Sequence, residues 1–227
     1  MSSSLAAASI SISCQGILFD MDGILVSSLE SVERSWTRWA ELRGVDPEQT
    51  VRAAHGCRAI DTLARMRPDL DPMAELRVIE DIEVADHEGV TVLPGVLDLL
   101  QALPADRWTV VTSATEKLAR VRMAASGVPF PDRLVTADRV SRGKPHPEPY
   151  RAGAALLGFR PEECVVFEDS ASGVKAGRAA GCIVVATTFS HSVESLAAAH
   201  YLVADVSGVT VETREHELVL RLMPIAG

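Results

Sequence analysis

Positive charge is in short supply: the 227 residues carry 22 Lys and Arg against 31 Asp and Glu, a formal net charge of −9. That deficit leaves no electrostatic footprint for nucleic acid or an anionic membrane surface, so an anionic ligand must be attracted locally, against the overall field. Long apolar runs are missing too. No segment approaches the roughly 20 apolar residues that a membrane helix needs. The opening "MSSSLAAASISISCQ" has neither a basic start nor a sustained apolar stretch, so no signal peptide is expected there. Residues 1–15 are therefore expected to form a flexible N-terminus that runs into the first strand. Cysteine is sparse, and Cys14, Cys57, Cys164 and Cys182 follow neither C-x-x-C nor Cys/His metal spacing. Buried free thiols in a reducing compartment, and hence a cytoplasmic protein, are the expectation. No G-x-G-x-x-G follows the first strand, which argues against dinucleotide binding. Nothing marks an extensive apolar interface, and a monomer is expected.

What the chain does hold is ample apolar material, 47% of its residues, enough for one large domain or a core with a smaller insertion. Apolar runs of strand length recur: "GILF" (16–19), "WTVVT" (108–112), "RLVT" (133–136), "CVVF" (164–167) and "IVVAT" (183–187). Helical spacing separates them, over 96–103, 117–125, 149–157, 171–180 and 193–199. This alternation predicts an α/β fold, doubly wound around a mostly parallel, Rossmann-like sheet. "YLVAD" (201–205) predicts one more strand, and the alternating tail from Val209 a short hairpin. The rhythm breaks between about Leu29 and Val92, where every pattern is helical. An inserted all-helical cap over 29–92 accounts for this, with 16–28 and 93–227 forming the catalytic core.

In an open parallel sheet, ligands bind at the carboxyl ends of the strands. Polar residues collect at those ends. Asp20 and Asp22 follow "GILF", Thr112 and Ser113 end "WTVVT", Glu168 and Asp169 follow "CVVF", and Lys144 lies in the loop "ADRVSRGKPHPEPY". Any single one of them reads as a helix cap, but "DMD" supplies two carboxylates where a cap needs one. Side chains at i and i+2 of an extended segment share a side, so Asp20 and Asp22 face one centre unless the backbone turns between them. With Glu168 and Asp169 this makes up to four negative charges, each pair costing roughly 4 kcal/mol at about 4 Å and an effective dielectric near 20. Such a cluster demands a cation. All-oxygen ligands suit Mg²⁺ rather than zinc, and Lys144 adds a point charge suited to a phosphate. The set is a phosphoryl-transfer arrangement in which a carboxylate attacks phosphorus and Asp22 carries protons.

"FDMDGIL", "VVTSAT", "GKPHPEPY" and "VVFEDSASGVKAGRAAG" are similar, in order and separation, to the four motifs of the haloacid dehalogenase-like hydrolase superfamily. The resemblance covers nearly the whole chain after residue 15. It implies that Asp20 is the nucleophile and that Asp22 is the acid/base, which also lends its backbone carbonyl to Mg²⁺. It implies too that Ser113 hydrogen-bonds the phosphoryl group, that Lys144 bridges nucleophile and phosphate, and that Asp169 with Glu168 holds the metal. The true dehalogenases of the superfamily lack the second aspartate, so Asp22 points to a phosphatase.

Within the superfamily, "AHGCRAIDTL" resembles the "HG-x-R" segment of the fungal 2-deoxyglucose-6-phosphate and glycerol phosphate phosphatases. It implies that His55, Gly56 and Arg58 lean over the site from the cap, beside Ala114, to select a small phosphorylated sugar or polyol. Ile24 and Ala114 depart from the usual Thr or Val and Gly. Two rivals share parts of this pattern. A β-phosphoglucomutase-like isomerase shares core and cap, although "AHGCR" offers no lysine for a second phosphate. A phospho-accepting signalling module would need neither Asp22 nor an insertion.

Overall fold

The run "GILF" becomes an inner strand of a parallel sheet because it is apolar on both of its faces and both are covered. The computed structural model describes residues 9–225. In chain order the elements are β1 (Ile10–Cys14), β2 (Gly16–Phe19), β3 (Val26–Ser27), α1 (Leu29–Arg43), α2 (Pro47–Ala54), α3 (Ala59–Met66), α4 (Pro72–Ala85) and β4 (Thr91–Val92). There follow α5 (Val96–Gln101), β5 (Trp108–Val110), α6 (Glu116–Ser126), α7 (Glu148–Leu157), β6 (Cys164–Glu168), α8 (Ala171–Ala180), β7 (Ile183–Thr187), β8 (Tyr201–Val203), β9 (Val209–Thr213) and β10 (Leu218–Leu222).

The five-stranded sheet runs β5-β2-β6-β7-β8, all parallel. β2 and β6 are buried along their whole length, and two apolar clusters cover opposite faces. One gathers Ile17, Phe19, Val165 and Phe167, the other Leu18, Val166, Val184 and Tyr150. At roughly 1.5–3 kcal/mol per buried large apolar side chain, these two layers dominate the stability of the core. They also fix the register that brings Phe19 beside both Val110 and Phe167, so the next residues of all three strands emerge at one edge.

α1 to α4 sit between β3 and β4, and pack on one another around Trp36, Trp39, Leu63 and Ile79. The chain enters and leaves this insertion through the antiparallel pair Val26↔Val92 and Ser27↔Thr91. Asp46 and Asp71 cap α2 and α4, accepting from Gln49 N and Met73 N, and each is followed by a proline that suits the first helical turn.

Three expectations are corrected. Ile10–Cys14 is a strand, not part of a flexible N-terminus: Ile12 and Cys14 point inward and β1 pairs antiparallel with β10. Its partner lies some two hundred residues away, and residues 1–8 fall outside the described residues. The run "RLVT" joins the sheet edge only through a single bridge, Val111↔Val135, since the loop after it leaves at once for the active edge. Residues 193–199 form turns rather than a helix. Only Leu196 of that segment is buried, and Ser195 Oγ donates to the Ser192 carbonyl at 2.7 Å, a side-chain bond that competes with helical pairing.

The tail hairpin forms as expected, β9 pairing with β10. The four cysteines are free thiols. Burial pushes the thiols of Cys14, Cys164 and Cys182 up to about 12, which disfavours the thiolate. Among the described residues no helix is long and apolar enough to cross a membrane.

Candidate active site

Where β2, β5 and β6 end, the backbone delivers the residues that sequence picked out. Asp20 follows β2, and its amide donates to Phe167 O at 3.0 Å, extending the ladder by one step. Glu168 closes β6 and Asp169 follows it. Ser170 then caps α8, its hydroxyl accepting from Gly173 N at 3.1 Å. Carboxylate oxygens of Asp20, Glu168 and Asp169 lie within 4.8 Å of one another, and all three residues are buried. Lys144, also buried, reaches in from the loop before α7, with Nζ 2.9 Å from Asp20 Oδ1 and 2.7 Å from Glu168 Oε1.

Glu168 is the anchor of this group. Its Oε1 accepts from Lys144 Nζ and, at 2.7 Å, from the Tyr150 hydroxyl. Its Oε2 accepts from the amides of Asp169 and Ser170 and from Ser170 Oγ, each at 3.0 Å. Burial works against its charge, but Lys144, Tyr150 and these amides outweigh burial and hold the carboxyl below the usual range. A wholly buried anion survives only when paired and bonded in this way. The helix above makes room for it: a Cβ at Gly173 would overlap the Glu168 carboxylate, and one at Gly177 would meet Val184 at 2.9 Å.

Asp20 and Asp169 are less well compensated. Burial, and then repulsion from Glu168, pushes Asp169 up to about 7, with a bond from the Ser190 hydroxyl opposing the rise. Asp20 is raised well above the carboxylate range by burial, despite the pull of Lys144, because Glu168 and Asp169 repel it as well. For Lys144 burial acts against the ammonium, and Asp20 and Glu168 more than restore it. One ammonium thus faces three carboxylates. The residual negative charge, the all-oxygen donor set and the notch at Gly23, where a Cβ would overlap Asp169 Oδ2, fit a small hard cation.

The pair Asp20 and Asp22 does not face one centre. The chain turns at once after Met21, and the Asp22 carboxylate lies outside the acidic group. Its Oδ1 accepts from Ser28 Oγ at 2.6 Å and its Oδ2 from Arg122 at 3.0 Å. Asp20 Oδ1 accepts from Met21 N at 2.8 Å as well as facing Lys144; both donors converge on one oxygen.

A cavity of about 380 Å³ opens over these residues, a volume in the ordinary range for a small-molecule site. Asp20, Asp22, Ser113, Ala114 and Asp169 line it from the core, and His55, Gly56 and Arg58 from the helical insertion. Ser113 Oγ lies 3.4 Å from Gly56 O, which also accepts from Ser172 Oγ at 2.8 Å. The Ala114 amide is already bonded, to Thr112 Oγ1 at 3.0 Å. His55 Nε2 is buried without a protein partner, and burial, then His191, lowers its pKa. Arg58, by contrast, is not free to fork onto a ligand: its guanidinium bonds Asp61 at 2.8 and 2.9 Å and the Val140 carbonyl at 2.9 Å.

Sequence reasoning missed Tyr150, although it closes the quoted "GKPHPEPY". It also missed the relay His191, Ser190 and Asp169, in which Ser190 donates to Asp169 and lies 2.6 Å from His191 Nδ1. Arg122 and Glu83 were invisible as well, being single charges in amphipathic helices.

A parallel α/β sheet with an acidic centre and a lysine at its carboxyl edge is the frame of an enzyme that works on a charged small molecule. Residues 14–181 match the haloacid dehalogenase-like hydrolase family. The chain is 46% identical over 178 residues to hexitol phosphatase A of Escherichia coli, covering 76% of this chain and 82% of that protein. It is 35% identical over 194 residues to glycerol-1-phosphate phosphohydrolase 2 of Saccharomyces cerevisiae, covering 79% and 78%. β-Phosphoglucomutase from Clostridium difficile shares the fold, with a TM-score of 0.74 at 20% identity over 86% of this chain and 92% of that one. The chain belongs to the haloacid dehalogenase-like hydrolases, and it is an enzyme of their phosphatase branch.

Proposed function

We propose that the protein is a Mg²⁺-dependent phosphomonoesterase that hydrolyses small sugar or polyol phosphates through a phosphoaspartyl intermediate on Asp20. The observation that carries this reading is the buried Asp20 carboxylate, 2.9 Å from Lys144 and grouped with Asp169, at the floor of a ligand-sized cavity. The names of the two relatives, a hexitol phosphatase and a glycerol-1-phosphate phosphohydrolase, support the substrate class.

In this mechanism Asp20 Oδ2 attacks phosphorus, since Oδ1 is held by Met21 N and Lys144. The bond from phosphorus to the substrate oxygen breaks, and Asp22 gives its proton to the departing alkoxide. Water then attacks the phosphoaspartate, Asp22 takes the proton, and the Asp20–phosphorus bond breaks to release phosphate. Ser113 and Lys144 bind phosphoryl oxygens throughout. Asp20, Asp169 and the backbone carbonyl of Asp22 would hold Mg²⁺, while Glu168, spent on five donors, keeps Lys144 and Asp169 in place. When bound, the cation neutralises the charge that gathers on the phosphoryl oxygens.

Residues 29–92 act as the cap in this reading, hinged at β3 and β4, and the protein works as a cytoplasmic monomer. Hydrolysis is favoured over isomerisation because Arg58, a cap cation that lines the cavity, is already bound to Asp61 and Val140.

Phosphate release from a panel of polyol, sugar and nucleotide monophosphates tests the proposal. Glycerol 1-phosphate or a hexitol phosphate should turn over in Mg²⁺, with no turnover in EDTA or in Asp20→Asn. Full activity in chelator would remove the metal, an active Asp20→Asn the nucleophile, and a preference for nucleotides the substrate class.

A further inference from the structure

Away from the phosphate centre the cavity meets a seam between α4 and α6, and one guanidinium crosses that seam. Arg122 on α6 is 4% exposed. It donates to Asp22 Oδ2 and to Glu83 Oε1, each at 3.0 Å. Glu83 stands in the last turn of α4 and is itself buried. Two other polar links join these helices: Thr115 Oγ1 donates to Glu80 at 2.6 Å, and Lys117 pairs with Glu80 and Asp81. Thr115 and Glu80 border the cavity, and Lys117 stands half exposed at the outer end of the seam. Arg122 is different, since it alone among the three continues through to the catalytic turn.

A buried guanidinium is retained only with carboxylate partners that offset its lost hydration. Here the two partners belong to different parts of the chain, the turn after β2 and the helical insertion. With Ser28 on Oδ1 and Arg122 on Oδ2, the Asp22 carboxylate has one orientation on the cavity wall. Neither donor touches Asp20 or Lys144, so neither serves the acidic centre directly. An arginine fork sets direction as well as charge.

We propose that Arg122 is a positioning residue: it orients the Asp22 carboxylate for proton transfer and, through Glu83, makes that orientation depend on the seating of α4. This inference rests on Asp22 being the proton carrier. It assigns the helical insertion a part in the proton-transfer step in addition to enclosing the substrate.

Leaving-group dependence tests it, because kcat/KM reports the first phosphoryl transfer. Glycerol 1-phosphate releases a basic alkoxide that needs a proton, whereas 2,4-dinitrophenyl phosphate releases a stable anion that needs none. Asp22→Asn should lose at least about a hundredfold more kcat/KM with the first substrate than with the second. Arg122→Met should show the same bias, by about tenfold or more, and should cost nothing further when added to Asp22→Asn. Glu83→Gln with Arg122→Met removes both buried charges together and must show the same bias, which keeps the test valid where Arg122→Met alone does not fold. An Arg122→Met loss that is equal for both substrates, or that adds to Asp22→Asn, overturns the proposal and leaves the role of Asp22 standing. An Asp22→Asn variant without bias overturns that role, and the Arg122 proposal with it.

Discussion

The Lys144 ammonium stands 2.9 Å from Asp20 Oδ1 and, among the described residues, is the one cation in contact with a buried group of three carboxylates. Asp20 and Glu168 share it, and Tyr150 donates to the same Glu168 oxygen that Lys144 uses. Lys144→Met leaves both acids without that partner. Removing one member of a buried ion pair costs about 3–5 kcal/mol, and the expected loss in urea unfolding with EDTA present falls in that range. Mg²⁺ should restore part of this stability but not turnover, which drops at least about a hundredfold when the phosphoryl group loses a charge-assisted donor. A variant as stable as the wild type in EDTA would show that Lys144 does not compensate these acids.

Asp20, Lys144, Glu168 and Asp169 were legible because each acid directly follows an apolar run that had to be a buried strand, and because the lysine belongs to a motif. The same logic failed for Asp22. Alternation along an extended segment puts i and i+2 on one side, but the chain turns after Met21, and Ser28 and Arg122 then draw the carboxylate away. Arg122 itself stands in "KLARVRMAAS", where one more arginine reads as a solvated face; the packing of α4 on α6 is what buries it. Arg58 lies on the cavity wall as expected, and what no sequence pattern reveals is that it is already bonded to Asp61 and Val140. In the fold, β1 escaped notice because its alternating residues gain a partner only from the far end of the chain.

Gly23 offers a second test of the acidic centre. Its φ is +79°, and a Cβ there would overlap Asp169 Oδ2. Gly23→Ala must therefore both enter a left-handed conformation, at about 1–2 kcal/mol, and displace the Asp169 carboxylate. If Asp169 holds the metal as proposed, a carboxylate shifted in this way weakens metal binding before it weakens the fold. The Mg²⁺ concentration for half-maximal activity should rise about tenfold or more, with activity recovering at saturating Mg²⁺. An unchanged Mg²⁺ requirement would mean that Asp169 does not bear on the metal.

The helical insertion has its own polar tie, and it carries a pH dependence. Glu75 on α4 accepts from Arg43 at 2.6 and 3.0 Å and from the buried Trp39 indole at 2.9 Å. The Arg43 bond, with help from Trp39 and against partial burial, holds the Glu75 carboxyl below its ordinary value of 4.5. A depressed folded pKa means that the unfolded chain binds the proton first as pH falls. The stability contributed is therefore complete above the ordinary glutamate range and drains away as pH drops from 4.5 through the depressed value. Glu75→Gln cannot form the ion pair at any pH. Bonds to charged groups contribute roughly 1.5–3 kcal/mol each, so near neutral pH the variant should be less stable by about 2 kcal/mol or more in urea unfolding. That gap should narrow steadily once pH falls below the ordinary glutamate value, since the wild type loses what the variant never had. Were the gap constant down to pH 3, Glu75 would be contributing through shape and packing, and the charge on Arg43 would have no part in holding α1 against α4.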